Sequence, residues 1–241
     1  MSEPLATPER ALAIGAHPDD IEFGCGATLA RWAAAGTEIH LLVLTDGSKG
    51  SWDEGDDLAA LVARREAEAR EAARVLGNGV LHWIGLVDGE LEHTVAERLH
   101  LVRAIREIGP DVVFGHDPWT RYRLHPDHRH AGWLTIDGVV AARDPHFFPG
   151  IGGAHHRPEL LLLFEADAPD HAEPAASTID VKVASLLCHR SQWHTTMGID
   201  ARSAREEAQR FAFADRIERE ARAAGARHGY DLAEEFKLLR P

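Results

Sequence analysis

Apolar residues run unbroken through Ala11-Leu-Ala-Ile14 and then give way to Gly15-Ala16-His17-Pro18-Asp19-Asp20; the chain repeats this exchange of apolar run for polar loop several times. The run at 11–16 reads as a buried strand, and Gly24-Cys25-Gly26 opens a helix through Leu29, Ala30 and Ala33 that stops at Gly36. A second strand at 39–44 leads into a long polar loop, 45–57, with an acidic end. Leu58, Leu61, Val62, Arg65, Ala69, Ala72, Ala73 and Leu76 then keep helical spacing up to Gly77, with Glu66 and Arg70 as an i,i+4 pair. Strands at 80–84 and 111–115 bracket an amphipathic helix over 95–108 that Gly109-Pro110 closes.

The loop 116–130 leads into a helix around 131–142, and 145–158 is irregular. Leu160-Leu-Leu-Leu-Phe164 has strand length, and further along a strand is expected at 177–181 and a helix at 182–188. The last helix opens on Ser203-Ala-Arg-Glu206, a capping-box pattern, and extends to about 224. Alternating strands and helices predict an α/β fold, a single Rossmann-like domain over 1–241 with a mostly parallel sheet and helices on both faces. No internal repeat or interdomain linker interrupts it.

Charge narrows the partners. With 26 Lys and Arg against 39 Asp and Glu, the net charge of -13 disfavours a polyanionic partner, so no nucleic acid is expected. No run approaches the roughly eighteen apolar residues of a membrane span, and the first ten residues hold no apolar signal core, so the expectation is a cytoplasmic protein without a membrane partner. Cys25 and Cys188 lack CxxC spacing and read as reduced core residues. The acidic stretch 53–57 lacks the spacing of a calcium loop and reads as solvated surface.

The candidate chemistry sits where strands end. A turn needs at most a Pro and one Asp, so His17 and the second carboxylate of Asp19-Asp20 point to chemistry. If Pro18 starts a helical turn, His17 and Asp20 converge while Asp19 is aimed elsewhere. His125-Pro126-Asp127-His128 repeats the theme after another strand, and both clusters belong at the carboxyl ends of sheet strands, where open α/β sheets bind ligands. Two neutral His and one carboxylate suit a zinc ion with an open position for water, whose pKa can fall to roughly 7. Asp19 is placed to take a proton from that water, and His125 to stabilise an oxyanion and protonate a leaving amine. His116 and His130 lie nearby; His130, two positions past His128, points away on a helix.

Ala16-His-Pro-Asp-Asp20 with Gly24, and His125-Pro-Asp-His128 downstream, resembles the LmbE-like (PIG-L) N-acetylglucosaminyl deacetylase family. The likeness extends through Thr45-Asp46-Gly47, residues 65–77, Asp88-Gly89 and the stretch from Lys182 to Gln192. The resemblance implies a Zn2+-dependent hydrolase that removes an acyl group, usually acetyl, from the nitrogen of an amino sugar or glycoconjugate. It implies His17, Asp20 and His128 as metal ligands, Asp19 as general base, His125 as electrophile and acid, and Asp127 as the carboxylate orienting His125. Arg65 and Asp88 match positions that hold the sugar, and homo-oligomers, trimers or hexamers, are common among bacterial members. Some members carry a Tyr where this chain has Arg123, next to Tyr122, and that role stays unassigned.

Other readings compete. An amidase on a related sugar conjugate would use the same residues. His125, Asp127 and His17 also fit the facial triad of a non-haem iron oxygenase, though such triads usually sit in β-barrels. A non-catalytic binding module gains nothing from a missing site residue, and a dinucleotide-binding GxGxxG after the first strand is absent. Substrate choice is expected in the loops 45–57, 116–124 and 145–158.

Overall fold

Strand β1 (Arg10–Gly15) is buried on both faces: Ala11, Leu12, Ala13 and Ile14 expose no surface. A strand so apolar has to lie inside a sheet, and it does, between β2 (Glu38–Thr45) and β4 (Val112–His116). Leu12 stands beside His40 on one side and Val113 on the other, all parallel. With β3 (Val80–Leu86) and β5 (Leu160–Phe164) the parallel strands run in the order β3-β2-β1-β4-β5, so the order reverses next to β1. A crevice opens there beyond the carboxyl ends of β1 and β4. The structure, a computed structural model, describes residues 3–241.

Helices α1 (Asp20–Ala34), α2 (Leu58–Val75) and α5 (Ile179–Leu187) cover one face, while α3 (Val95–Ile108) and α4 (Pro126–Arg143) pack on each other over the opposite one. Under the first group the rings of Trp32, Phe114 and Phe236 lie at centroid distances of 5.4 and 5.5 Å, all three fully buried. Helix α6 (Glu206–His228) follows, after a 3₁₀ turn at Arg190–Gln192 and a π turn at Trp193–Met197. No helix among the described residues is long and apolar enough to cross a membrane.

The far edge departs from the sequence reading. Strands β6 (His171–Pro174) and β7 (Ala233–Leu239) extend the sheet to seven strands, both pairs antiparallel, with β7 against β5. Apolar alternation is broken in both because buried Glu173 and Glu234 stand among their few buried apolar residues. Glu234 accepts from the Ala27 and Thr28 N–H groups at 3.0 and 2.7 Å and from Lys182 Nζ at 2.6 Å, and Glu173 pairs with Arg31 and His171. Alternation disappears when an inward position is a paired charge. The strand expected at 177–181 is instead a turn into α5, where the Thr178 hydroxyl donates to the Ala27 carbonyl. Ser203 does not cap α6; it forms the turn before it, its Oγ accepting from the Arg205 N–H.

Two helix starts also move, and both matter for the site. Helix α1 begins at Asp20 rather than around Gly24, and α4 at Pro126 rather than around Ala131. Proline pre-sets the first-turn φ, and His125 caps α4 by accepting the Asp127 N–H at 3.3 Å. Both His-Pro-Asp clusters therefore sit at helix N-termini that abut the crevice.

Candidate active site

His17 lies two residues past the end of β1, and its backbone N–H donates to Asp20 Oδ2 at 2.7 Å. This tight loop requires Asp19 to take φ 106°, a left-handed conformation that non-glycine residues rarely hold. The convergence of His17 and Asp20 is thus reached through a strained turn and not through the helical turn that Pro18 suggests. Asp19, sent the other way, lies 3.8 Å from Arg65.

Three donors meet at the crevice. His17 Nδ1 is 3.1 Å from His128 Nε2 and 3.3 Å from Asp20 Oδ2, and His128 Nε2 is 3.3 Å from Asp20 Oδ1. A tetrahedral zinc site with bonds of roughly 2.0–2.1 Å sets its ligand atoms about 3.3 Å apart, so these atoms fit one ion. The opposite ring nitrogen of His17, Nε2, is 3.1 Å from Asp88 Oδ1 and 3.2 Å from Asp127 Oδ2. Carboxylates only accept, so Nε2 carries a hydrogen, and Nδ1, facing His128 and Asp20, is the nitrogen that could bind a cation in exchange for its own proton.

The electrostatics favour positive charge here. Burial alone would lower the His17 pKa, but Asp20, Asp127 and Asp88 together hold it well above its ordinary value. Burial would raise Asp20, and His128, His116 and His17 pull it well below the carboxylate range. Asp19 differs from its neighbour: burial, only partly offset by Arg65, pushes its carboxyl up to about 6. Two adjacent carboxyls held apart in this way suit different tasks. For His125, burial and the neighbouring His17 and His128 push the pKa down.

Three of the expected positions make contacts that the sequence does not predict. The Asp127 carboxylate, fully buried, does not reach His125; it takes the Gly89 N–H at 2.7 Å and faces His17, because Pro126 places its side chain inside the first turn of α4. Only its backbone touches the His125 ring. The facial-triad grouping is not assembled either: among the described residues, Asp127 clusters with His17 and Asp88, whereas His125 clusters with His17 and His128. Arg65 donates to the Gly47 carbonyl at 2.9 Å and the Pro18 carbonyl at 2.8 Å, and Asp88 accepts the Lys49 N–H at 3.1 Å. Gly47 has φ 68°, and a Cβ there would lie 2.8 Å from the guanidinium. Both Arg65 and Asp88 still line the cavity of about 470 Å3 that holds His17, Asp20 and His128.

Other residues that the sequence leaves without a role, and Glu165, which it does not single out, also reach the site. His116, at the end of β4, places Nε2 3.1 Å from Asp20 Oδ2, and its Nδ1 lies 3.2 Å from Glu165, which also accepts from Arg123 at 2.7 Å. Despite burial, those two partners bring the Glu165 carboxyl down to about 2. Arg123 also reaches His128 Nδ1 at 2.9 Å. A histidine closing an apolar strand, as His17 nearly does for β1, is the one signal that marked His116. His130 lies against the Leu91 carbonyl, away from the site as its helix position predicts.

Known proteins resemble this chain in sequence and in fold. A family model described as GlcNAc-PI de-N-acetylase (PIG-L) matches residues 12–138. The chain is 33% identical to the diacetylchitobiose deacetylase of Thermococcus kodakarensis over 196 residues, 80% of this chain and 73% of that one. It is also 33% identical to the 1D-myo-inositol 2-acetamido-2-deoxy-alpha-D-glucopyranoside deacetylase of Geodermatophilus obscurus, over 60% of this chain and 58% of the relative. The structure of the N,N'-diacetylchitobiose deacetylase of Pyrococcus horikoshii superposes with a TM-score of 0.83 at 28% identity, covering 97% of this chain and 84% of that one. With the family model spanning both histidine motifs and the likeness extending over the whole sheet, this chain belongs to the PIG-L family of deacetylases.

Proposed function

We propose that the protein removes the N-acetyl group of an amino sugar or its conjugate, using a zinc ion held by His17, Asp20 and His128. The observation that carries this reading is the meeting of those three donors within 3.1–3.3 Å beside a separate, buried carboxyl at Asp19. When bound, zinc would polarise the amide carbonyl and acidify water at the site. Asp19 takes the proton as the amide is attacked: with its pKa near 6 it is ionised at neutral pH yet basic enough to accept. Arg65 fixes the turn that aims Asp19, through the Pro18 and Gly47 carbonyls, and Asp88 both steadies His17 and offers a carboxylate to a sugar hydroxyl in the cavity.

His125 acts as the electrophile. Its Nδ1 accepts the Asp127 N–H, which fixes the neutral tautomer with hydrogen on Nε2, a donor for the oxygen that becomes negative. Its depressed pKa leaves it without a spare proton at rest, so the departing amine takes the proton that Asp19 gained. Asp127 acts on His17 and holds its Nε2–H.

Release of free amine and acetate from N-acetylglucosamine, diacetylchitobiose and an N-acetylglucosaminyl inositol tests the reading. Activity is expected with about one zinc per chain, lost on chelation and regained on adding the metal back. Turnover that survives full chelation would overturn the metal assignment, and absence of amine release from every N-acetyl sugar would overturn the substrate class.

A further inference from the structure

Helix α6 lies outside the residues that the family model matches, yet it completes the mouth of the catalytic cavity with Arg216 and, one turn on, Glu220. Arg216 is half-buried and stacks its guanidinium carbon 5.2 Å above the Phe213 ring. Its Nε is buried without a partner, and among the described residues no ion pair or hydrogen bond joins its side chain to another group. The other arginine and lysine on the lining are engaged: Arg65 with two carbonyls and Asp19, and Lys49 with Glu90 at 3.6 Å. The lining acids are engaged too, Asp88 with His17 and Glu165 with Arg123 and His116, except for the exposed Glu220.

The buried Nε–H without an acceptor is an uncompensated donor, and it belongs to a guanidinium whose terminal NH₂ groups are not buried. The guanidinium carbon lies over the Phe213 ring, and the N–H groups of this cavity-lining side chain are left for an acceptor in the cavity. Their fork matches a carboxylate or phosphate in bidentate fashion. We propose that Arg216 binds an anionic substituent, carboxylate or phosphate ester, carried by the amino sugar or its aglycone, so that the enzyme selects acidic N-acetyl sugars. The proposal rests on the deacetylase reading for its substrate class. A chain of net charge -13 repels anions at long range, so such a substrate needs a dedicated local cation. Glu220 opposes it only weakly, because an exposed charge is screened by solvent and salt.

Binding of products to the metal-stripped protein tests this apart from catalysis. Glucosamine, glucosamine 6-phosphate and muramic acid, titrated calorimetrically, share one ammonium-bearing ring and compare no acidic substituent, a phosphate and a carboxylate. One of the two acidic sugars, whichever anion the site takes, is expected to bind about tenfold or more tightly than glucosamine, as one charge-assisted contact supplies. Arg216→Gln should collapse that ratio to near one, Arg216→Lys should retain part of it, and Glu220→Gln should widen it. The same ordering in kcat/KM for the three N-acetyl compounds would extend the result to turnover. If binding preference and its loss in Arg216→Gln are seen but no N-acetyl compound is hydrolysed, the deacetylase reading fails and the anion site stands. Equal binding of glucosamine and the two acidic sugars, or a preference that Arg216→Gln and Arg216→Lys both leave intact, overturns the proposal.

Discussion

Arg65 holds Asp19 by both backbone and charge: its guanidinium donates to the carbonyl of Pro18, the preceding residue, at 2.8 Å and stands 3.8 Å from the Asp19 carboxylate. The first contact stabilises a turn in which Asp19 sits at φ 106°, a conformation that costs about 1–3 kcal/mol. The second counters the rise that burial imposes on the Asp19 pKa, leaving it at about 6.

Removing the charge should therefore move the acid limb of activity. Asp19 works as a base only when ionised. In Arg65→Gln the opposing cation is gone, burial acts unchecked, and the Asp19 pKa rises further above 6. The rising limb of kcat against pH should shift to higher pH, with activity at pH 6 falling more than at pH 8 while bound zinc stays constant. A limb that does not move, with KM alone raised, would assign Arg65 to the sugar and not to Asp19.

That role shows where sequence reading stops. The five parallel strands were legible because each is apolar and short, and the two His-Pro-Asp motifs because polar residues of that type at strand ends have no structural reason to be there. Arg65 was legible as a position, but its partners are backbone carbonyls 18 and 47 residues away, which no side-chain pattern records. Asp127 was assigned to its neighbour His125, whereas the fold carries its carboxylate to His17, 110 residues earlier. Glu165, in a left-handed turn after β5, and Arg216 on α6 reach the cavity only through the topology.

Asp127→Asn tests the reassignment. The amide oxygen can keep both the Gly89 N–H and the His17 Nε2–H, but its NH₂ then occupies the place of Oδ1, which is buried with no partner. The carboxylate that raises the basicity of His17 is lost as well. Zinc affinity is expected to fall by roughly 10–100-fold, the usual effect of losing such a partner. Equilibrium dialysis against competing chelators measures it. Unchanged affinity with a lowered kcat would restore Asp127 to His125.

Gly24→Ala probes the packing that sets the site. A Cβ at Gly24 would lie 2.6 Å from the Phe164 ring, which is fully buried at the end of β5. Helix α1 can approach the sheet this closely only without that carbon. The substitution should destabilise the fold by about 1–3 kcal/mol through overpacking, read as a lower denaturant midpoint. Since α1 begins at Asp20, activity should fall along with stability. A variant of wild-type stability would mean that Phe164 can move aside.

Asp19 and Asp20 are adjacent and chemically identical, so substituting each by Asn isolates position. Asp20 lies within 3.3 Å of His17 and His128 and is held well below the carboxylate range, so its charge belongs to the cation. Asp20→Asn should lower zinc affinity and lose activity through lost metal, because a neutral amide oxygen is a poorer ligand. Asp19 sits on the other side of the turn beside Arg65. Asp19→Asn should keep zinc and still lose about 10²–10⁴-fold in kcat, the contribution of a positioned acid–base group. Its pH profile should also lack the limb near 6 expected of the wild type, since the titrating carboxyl is gone. Excess zinc separates the pair further: it should restore Asp20→Asn in part and do nothing for Asp19→Asn. Equal zinc loss in both variants would sink the division of labour, and an active Asp19→Asn would leave His125 as the base.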